Sequence, residues 1–303
     1  MMNQDFYNKL AEIVSAEAIL ENEPMSKHTT FRIGGNADVF VSPKVNQVAD
    51  VIKLAKEYQV PVTIIGNGSN LLVGDKGIRG LVLSFGKKAE EIVLDGRCMT
   101  VSAGTILAKA AAEAAKNSLT GLEFAAGIPG TMGGAIVMNA GAYGGEMKNV
   151  LISAKVLTPE GEVKELSNAE LDLSYRHSCI PEKNYIVLEA TLELTEGDEA
   201  VIRETMENFK NRRVDKQPLE YPSAGSTFKR PEGHFAGKLI QDAELRGYQV
   251  GGAQVSKKHC GFVINKGDAT AKDVLQLISD VKKIVYEKFQ VELEPEVKMI
   301  GEF

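Results

Sequence analysis

The sequence predicts a protein that mixes helices and strands in two or three domains. Its 303 residues exceed the length of one average domain, for which about 150 residues is a fair prior. Residues 39–65 read as a strand, an amphipathic helix and a second strand, which indicates parallel strands joined by a crossover helix. Residues 150–197 read instead as successive short β segments broken by turns. We therefore expect both kinds of element along most of the chain.

Apolar residues recur at helical spacing in six segments. The last of these helices is marked at its start by Thr270 and Asp273, which stand at capping-box spacing. The fourth is predicted to turn four apolar residues inward: Val201, Ile202, Met206 and Phe209. The predicted helices are Gln4–Ile19, Val45–Tyr58, Leu107–Lys116, Asp198–Val214, Phe235–Leu245 and one that begins at Ala271.

Turn residues locate the strands and one domain boundary. Phe31 and Ile33 indicate a strand that a Gly34–Gly35 bend separates from the next one. Residues 91–102 read as a hairpin with an Asp-Gly turn. A polar segment rich in proline and glycine, residues 211–233, is typical of a connection between domains. Other strands are predicted at 61–66, 249–255, 262–264 and 291–301.

Composition excludes several classes of function. A net charge of −6 argues against a nucleic-acid surface, although it permits a local basic pocket for an anionic ligand. Three scattered cysteines without CxxC spacing, and four histidines without an HExxH motif, predict neither a disulfide framework nor a metal site. The N-terminus lacks a signal-peptide pattern, and no apolar run approaches the ~20 residues of a membrane helix. We therefore expect a cytoplasmic protein without a membrane partner.

The glycine-rich stretch 121–145, GLEFAAGIPGTMGGAIVMNAGAYGG, is the segment from which we interpret the rest of this sequence. Eight of its 25 residues are glycine, and it contains neither lysine nor arginine. Glycine is costly inside helices and strands, so this density needs a reason. One reason is a backbone that approaches a ligand closely and offers N–H groups to it. The alternative is a buried loop that packs small residues together.

A second glycine loop, GNGSNLLVGDKG at residues 66–77, follows a predicted strand. Its glycines and short polar side chains suit a loop that surrounds a pyrophosphate with N–H donors. It is not the GxGxxG dinucleotide motif, because Leu71 stands where the third glycine is needed, and no GK[ST] sequence follows as in a Walker loop. A plain turn after a strand would explain this loop equally well.

Three polar positions lie among small and turn-forming residues: Arg176 in LSYRHS, Ser226 in SAGSTFKRP and Glu296 in LEPEV. Each alone is explained by a surface ion pair, a turn or a solvated carboxylate. Ser226 is not expected to be a hydrolase nucleophile, because the GxSxG motif is absent.

Seven motifs together resemble one known family. They are KHTTFRIGG (27–35), IGNGSNLLV (65–73), GIPGTMGGA with NAGAYG (127–144), SYRHS (174–178), AGSTFKRP (224–231), GGAQVSKKH (251–259) and LEPEVKMIG (293–301). In this order and spacing they are similar to those of the UDP-N-acetylenolpyruvoylglucosamine reductases, also called UDP-N-acetylmuramate dehydrogenases. These are FAD enzymes of bacterial peptidoglycan synthesis. No insertion appears between Arg176 and Arg213, so the chain resembles the shorter, second type of the family.

The resemblance implies an α+β fold, namely the FAD-binding fold of the p-cresol methylhydroxylase and vanillyl-alcohol oxidase type with a C-terminal α+β substrate domain. Residues 1–83 with a return strand at 297–303 would form the first FAD-binding subdomain, 84–212 the second, and 213–296 the substrate domain. It further implies FAD as cofactor, NADPH as electron donor, and UDP-N-acetylglucosamine enolpyruvate as the substrate that is reduced to UDP-N-acetylmuramate. No nucleic acid, metal or obligate protein partner is implied.

The resemblance also implies roles for particular residues. Arg176 would stabilise the enolate, Glu296 would bind the other side of the substrate carboxylate, and Ser226 would donate the final proton to carbon. The sugar nucleotide would face Tyr143, Tyr175, Arg213, Lys216, Lys229 and His259. The cofactor would be bound by Ile65, Gly66, Asn67, Gly68, Ser69, Asn70, Gly127, Ile128, Pro129, Gly130, Thr131, Gly134, Ala135, Asn139, Ala140 and Gly141. Arg230, which stands where some members carry asparagine, has an open role.

Two other classes of protein would use the same glycine loops. A flavin-dependent oxidase of a small alcohol or sugar on this fold is the first, but many such oxidases attach flavin to a histidine in the glycine loop, and GNGSN has none. A non-catalytic nucleotide-binding regulator is the second, and it would need no Arg–Ser–Glu set.

Overall fold

The computed structural model describes residues 4–303, so residues 1–3 of the predicted first subdomain (1–83) lie outside the described residues. Its described residues form seven α-helices and nineteen strands. The helices are α1 Gln4–Val14, α2 Val48–Glu57, α3 Leu107–Lys116, α4 Met132–Val137, α5 Glu199–Lys216, α6 Ala236–Asp242 and α7 Ala271–Phe289. Among residues 4–303, no helix combines the length and apolarity that crossing a bilayer requires.

The strands are mostly short. They are β1 Ile19–Pro24, β2 Asn36–Val41, β3 Val62–Ile65, β4 Leu71–Val73, β5 Ile78–Ser84, β6 Ile92–Asp95, β7 Cys98–Ser102, β8 Leu119–Thr120, β9 Gly141–Ala142, β10 Gly145–Glu146, β11 Leu151–Leu157, β12 Val163–Ser167, β13 Ile186–Glu193, β14 Thr195–Glu196, β15 Ser223–Ser226, β16 Gln249–Val250, β17 Ala253–Val255, β18 Phe262–Asn265 and β19 Lys298–Ile300.

The chain divides into two compact units. The first unit comprises residues 1–20, 39–67 and 80–213, and the second comprises 21–38, 68–79 and 214–303. Each unit has its own hydrophobic core, built around Phe6, Leu10 and Met99 in the first and around Phe31, Leu277 and Val281 in the second. The three-domain division of the sequence stays a prediction.

A five-stranded antiparallel sheet of order β12-β11-β13-β7-β6 forms much of the first unit. Helix α4 packs against β13 and β7 of this sheet, and small residues make that contact possible. The Gly133 N–H donates to the Ala103 carbonyl at 2.9 Å, and a Cβ on Gly133 would lie 3.0 Å from the Ala103 Cβ. A larger residue at either position would push the helix off the sheet.

The predicted strand–helix–strand segment forms, but its two strands are not neighbours. The sheet has the order β1-β2-β5-β3, so β5 lies between β2 and β3. The parallel pairing that the pattern indicated is instead made by β3 with β5, from Val62 opposite Leu81 to Ile65 opposite Ser84. Local periodicity located the strands correctly, but it carries no information about which strand inserts between them.

In the second unit, α7 packs its apolar stripe against α6, β16 and β17, and the sheet of the unit has the order β15-β18-β17-β16. The predicted capping box is confirmed at the start of α7. The Asp273 N–H donates to Thr270 Oγ1 at 3.1 Å, and the Thr270 N–H donates to Asp273 Oδ2 at 3.0 Å. The Gly252 N–H also donates to Asp273 Oδ2, so the cap ties the helix to the sheet.

Several local predictions need correction. The first helix ends at Val14 and not at Ile19. Phe31 and Ile33 are buried core residues outside any strand. Only Ile202 is buried on α5, whereas Val201, predicted on its inner face, is 59% exposed. The helix lies on the surface over most of its length, and therefore sequence periodicity overstated its apolar face.

The Thr270 cap gives a testable expectation for stability. Replacing Thr270 with alanine removes the acceptor of the Asp273 N–H and should lower the free energy of unfolding by about 1 kcal/mol, the usual contribution of such a cap. Urea denaturation measures the change, with Thr270→Ser as the control that keeps the hydroxyl. Equal losses in both variants would contradict a capping role.

The Asp273 carboxylate should make part of the stability depend on pH. Hydrogen bonds from the backbone of Thr270 and then Gly252 lower its pKa in the folded state. Its contribution is therefore present above the unfolded-state pKa of about 3.9 and is lost as pH falls through the folded value. The difference in unfolding free energy between wild type and Asp273→Ala should shrink below about pH 4. A difference that stays constant from neutral pH to pH 3 would contradict this account.

Candidate active site

The residues that the sequence predicts for the site fall into two groups, one in each compact unit. The first unit carries Ile65–Asn67, the predicted residues between Gly127 and Tyr143, and Tyr175, Arg176 and Arg213. The second unit carries Gly68–Asn70, Lys216, Ser226, Lys229, His259 and Glu296.

The two glycine segments meet in the first unit where β3 ends. A Cβ built on Gly66 would lie only 2.3 Å from Thr131 Oγ1, so the backbone and this side chain are in close contact. Asn67 Nδ2 donates to the Pro129 carbonyl at 2.7 Å. Thr131 is also the N-cap of α4, and its hydroxyl accepts from the Gly134 N–H at 3.5 Å. The two loops that resemble pyrophosphate-binding segments thus lie side by side.

The Leu173–Ser178 turn, which carries Arg176, is attached to the end of the glycine-rich stretch. Arg176 Nη2 lies 3.4 Å from the Gly141 carbonyl, and the guanidinium carbon is 5.1 Å from the centre of the Tyr175 ring. Asn139 Nδ2 donates to the Ser174 carbonyl at 3.0 Å. Arg176 and Asn139 both have positive φ values, 56° and 40°, which non-glycine residues adopt rarely. Such conformations persist only where the surroundings fix them.

Tyr143 lies between an aromatic ring and two arginines. Its ring stacks on Phe209 at 4.4 Å with an angle of 10° between the planes, and the Arg212 guanidinium is 4.8 Å from its centre. Arg213 is half-buried, and this burial lowers the pKa of its guanidinium, which still remains charged at neutral pH. A Cβ on Gly127 would lie 3.5 Å from Arg213 Cδ, so Arg213 packs against the glycine loop, and its guanidinium is also close enough to Tyr143 to interact electrostatically.

In the second unit, the segments of Ser226 and Glu296 run side by side. Ser226 is exposed at the end of β15, opposite Phe262 of β18. The Glu296 N–H donates to the carbonyl of Thr227, the residue after Ser226, at 2.8 Å. Asn70 Nδ2 donates to the Glu296 carbonyl at 3.1 Å. The predicted proton donor and the predicted carboxyl group thus lie on neighbouring backbone segments.

Two of the predicted substrate residues in this unit have constrained charge states. The Gly261 N–H donates to His259 Nδ1 at 3.1 Å, which leaves the ring proton on Nε2. Burial, followed by the nearby Arg246 and Lys216 cations, lowers the pKa of His259, so the ring is neutral at neutral pH and acts as a hydrogen-bond donor. Lys229 pairs with the Glu294 carboxylate, which partly neutralises its charge.

Phe209 and Arg212 are the residues in this region that the sequence did not assign to the site. The sequence placed Phe209 on an apolar helix face and Arg212 in the polar connection 211–233, but nothing in it indicated that both contact Tyr143. That contact depends on the position of α5 beside the glycine-rich stretch, which a linear pattern does not encode.

The backbone of the first unit fits the diphosphate of a dinucleotide such as FAD. Gly66, Gly127, Gly130 and Gly134 are partly or fully exposed, although Ile65, Ala125 and Thr131 beside them are buried. Exposed backbone without side chains, next to the N-terminus of a helix, is the arrangement that binds phosphate oxygens. The residues present therefore suit the cofactor that the resemblance implies.

The contact between Gly66 and Thr131 predicts the effect of a single methyl group. In Gly66→Ala the new Cβ must displace Thr131, which is buried and caps α4, and overpacking of this kind costs about 1–3 kcal/mol. Both the melting temperature and the amount of bound flavin after purification should fall. Gly86→Ala is the matched control, because its Cβ would meet only Ser42 Oγ at 3.8 Å. Wild-type flavin content and stability in Gly66→Ala would contradict the close approach.

Comparison with known proteins identifies domains and relatives. Residues 37–167 match the profile of an FAD binding domain, and residues 217–300 match that of the UDP-N-acetylenolpyruvoylglucosamine reductase C-terminal domain. The UDP-N-acetylenolpyruvoylglucosamine reductase of Agathobacter rectalis is 59% identical over 100% of both chains. That of Lachnoclostridium phytofermentans is 56% identical over 99% of both.

Solved structures agree with the sequence relatives. The crystal structure of UDP-N-acetylenolpyruvylglucosamine reductase from Thermus caldophilus is 34% identical, with a TM-score of 0.78 over 93% of this chain and 97% of that one. 4-Ethylphenol oxidase from Gulosibacter chungangensis is 14% identical with a TM-score of 0.51 over 96% of this chain and 64% of that one, which shows a shared fold alone. The predicted FAD-binding fold with a C-terminal α+β domain is confirmed. The chain belongs to the UDP-N-acetylenolpyruvoylglucosamine reductase family.

Proposed function

We propose that this protein reduces UDP-N-acetylglucosamine enolpyruvate to UDP-N-acetylmuramate with NADPH and bound FAD, a step of peptidoglycan precursor synthesis. The observation that carries this function is the full-length match, at 59% identity, to a relative named for the reaction. The match favours a reductase over an oxidase on the same fold. A cytoplasmic location remains a proposal alongside it.

The glycine-rich backbone of the first unit is proposed to bind the cofactor. The N–H groups of Gly66, Gly127 and Gly130, which are partly exposed residues, would hold the diphosphate, and Thr131 would keep the two loops in contact. When bound, FAD supplies the two-electron chemistry: it accepts hydride from NADPH and delivers hydride to the terminal vinyl carbon of the substrate. The remaining work, which is to bind, orient and protonate the substrate, falls to side chains of this chain.

Arg176 is proposed to stabilise the negative charge that develops on the substrate carboxylate and its adjacent carbon. A guanidinium presents fixed donors that match a carboxylate, and charge-assisted hydrogen bonds of this kind are among the strongest in proteins. The turn that holds Arg176 is itself fixed by hydrogen bonds, as catalysis by preorganised charge requires. Arg176 would therefore act without rearrangement.

Ser226 and Glu296 are proposed to complete the reduction. Glu296 would hold the other side of the substrate carboxylate, and Ser226 would give its hydroxyl proton to the enol carbon. A serine hydroxyl is a weak acid in water, so this transfer needs a strongly basic carbon held within hydrogen-bond distance. The exposed position of Ser226 on β15 leaves its hydroxyl accessible to a ligand.

The sugar nucleotide is proposed to contact aromatic and basic residues. These are Tyr143, Tyr175, Arg213, Lys216, Lys229 and His259. Because His259 is neutral, it would donate a hydrogen bond through Nε2, whereas Arg213 and Lys216 would supply positive charge for the diphosphate. This local basic group explains how an acidic protein would bind an anionic substrate.

Ser226→Ala should separate the two halves of the reaction. Anaerobic mixing with NADPH should bleach the flavin at close to the wild-type rate, because hydride transfer from NADPH needs no proton from Ser226. Reoxidation by the enolpyruvyl substrate should slow by about 10²–10⁴-fold, the usual effect of losing a general acid. Stopped-flow absorbance measures both rates, with Ser223→Ala on the same strand as control. Equal slowing of both half-reactions would contradict a proton-donor role for Ser226 and indicate a structural role instead.

A further inference from the structure

We propose that Asn139 is a positioning residue for Arg176: its side-chain amide fixes the Leu173–Ser178 turn on the glycine-rich stretch. This inference rests on the role proposed above for Arg176. The family resemblance implies that Asn139 lies at the cofactor, and it does not say what the side-chain amide contacts.

Both ends of the Asn139 amide are used by the protein itself. The side chain is completely buried, with an exposed fraction of 0%. Its Nδ2 donates to the Ser174 carbonyl at 3.0 Å, and its Oδ1 accepts from the Lys148 N–H at 2.9 Å. The two partners lie on separate segments, so the amide links the turn to the segment after the glycine-rich stretch. A buried amide of this kind is costly to disrupt, because the Lys148 N–H would lose its acceptor and the Ser174 carbonyl would lose one of its donors.

The Ser174 carbonyl is the atom through which Asn139 acts on the turn. It also accepts from the His177 N–H at 3.1 Å, and the Ser174 N–H donates to the His177 carbonyl at 3.2 Å. These two bonds close the turn around Tyr175 and Arg176. Asn139 therefore holds the same oxygen that defines the turn, and Arg176 lies two residues beyond it with a φ of 56°.

Two further hydrogen bonds attach the same turn at its ends. Ser178 Oγ donates to the Val137 carbonyl at 2.8 Å, and Lys148 Nζ donates to the Leu173 carbonyl at 2.9 Å. The Arg176 guanidinium itself reaches Gly141. The turn is thus fixed at its start, middle and end, and among these attachments only Asn139 is completely buried and bonded on both sides.

The chemistry of the position calls for asparagine and excludes aspartate. An aspartate at 139 could still accept from the Lys148 N–H, but it would place a carboxylate oxygen against the Ser174 carbonyl where the donor is needed. Asn139→Asp therefore keeps the shape and the acceptor, while it replaces the donor to the turn with a carboxylate oxygen that opposes the Ser174 carbonyl. Asn168→Asp is the matched control, because the Asn168 amide donates to the Lys148 and Leu151 carbonyls of the same unit and does not reach the turn.

The test measures both half-reactions of the flavin-loaded enzyme by anaerobic stopped flow. Asn139→Asp should retain flavin and reduction by NADPH within about 3-fold, and should slow reoxidation by the enolpyruvyl substrate by about 10-fold or more, the range of a lost transition-state interaction. Asn168→Asp should leave both rates near wild type. Equal slowing of both half-reactions by Asn139→Asp, or loss of flavin with an intact fold, would overturn the positioning role.

A double-mutant cycle with Arg176→Lys distinguishes failure of the positioning role of Asn139 from failure of the role proposed for Arg176. If Asn139 acts through Arg176, Asn139→Asp should add less than about 3-fold in the Arg176→Lys background, because coupled residues are not additive. Full additivity would overturn the inference while leaving the role of Arg176 intact. If Arg176→Lys alone leaves reoxidation unchanged, the proposed role of Arg176 fails and the inference fails with it. If Asn139→Asp does not fold, Ser178→Ala is tested instead, because it removes another hydrogen bond of the same turn. Ser178→Ala must then slow reoxidation by the enolpyruvyl substrate and not reduction by NADPH; otherwise the inference is wrong.

Discussion

The structure depends on one close approach that only glycine permits, between the backbone at Gly66 and the side chain of Thr131. This contact brings the end of a parallel strand against the start of helix α4. The loop before that helix is attached in turn to α3, because the Leu107 N–H donates to the Gly130 carbonyl. Two segments that are more than 60 residues apart in the sequence thereby present one backbone surface, and helix α4, which starts there, ends at Val137, two residues before Asn139.

In the proposed site, backbone groups and side chains have different roles. The glycine segments are proposed to offer N–H groups to a cofactor and contribute almost no side chains. Arg176 and Glu296, by contrast, stand on segments whose backbones are fixed by hydrogen bonds from side-chain amides and a hydroxyl, and Ser226 stands at the end of a strand. Asn139 and Asn70 play corresponding parts in the two units, since each donates to the carbonyl of a segment that carries a proposed catalytic residue.

The sequence correctly predicted features that depend only on residues close together in the chain. The helix Leu107–Lys116, the hairpin within residues 91–102 and the Thr270 cap are confirmed, because each follows from neighbouring residues, although the hairpin turn is Gly96–Arg97 and not Asp95–Gly96. The insertion of β5 between β2 and β3, the exposure of Val201 and the stacking of Phe209 on Tyr143 were not predictable. They arise from contacts between distant segments. The site residues were identified through the family resemblance, which gave positions but not the hydrogen bonds that use the Asn139 side chain.

The most direct test of this account is whether the enolpyruvyl substrate itself takes electrons from the protein. Purified protein would be reduced anaerobically with one equivalent of NADPH and then mixed with UDP-N-acetylglucosamine enolpyruvate, while flavin absorbance and product are followed. We expect the oxidised spectrum to return without oxygen and one UDP-N-acetylmuramate to form per flavin. A flavin that stays reduced until oxygen is admitted would contradict the account.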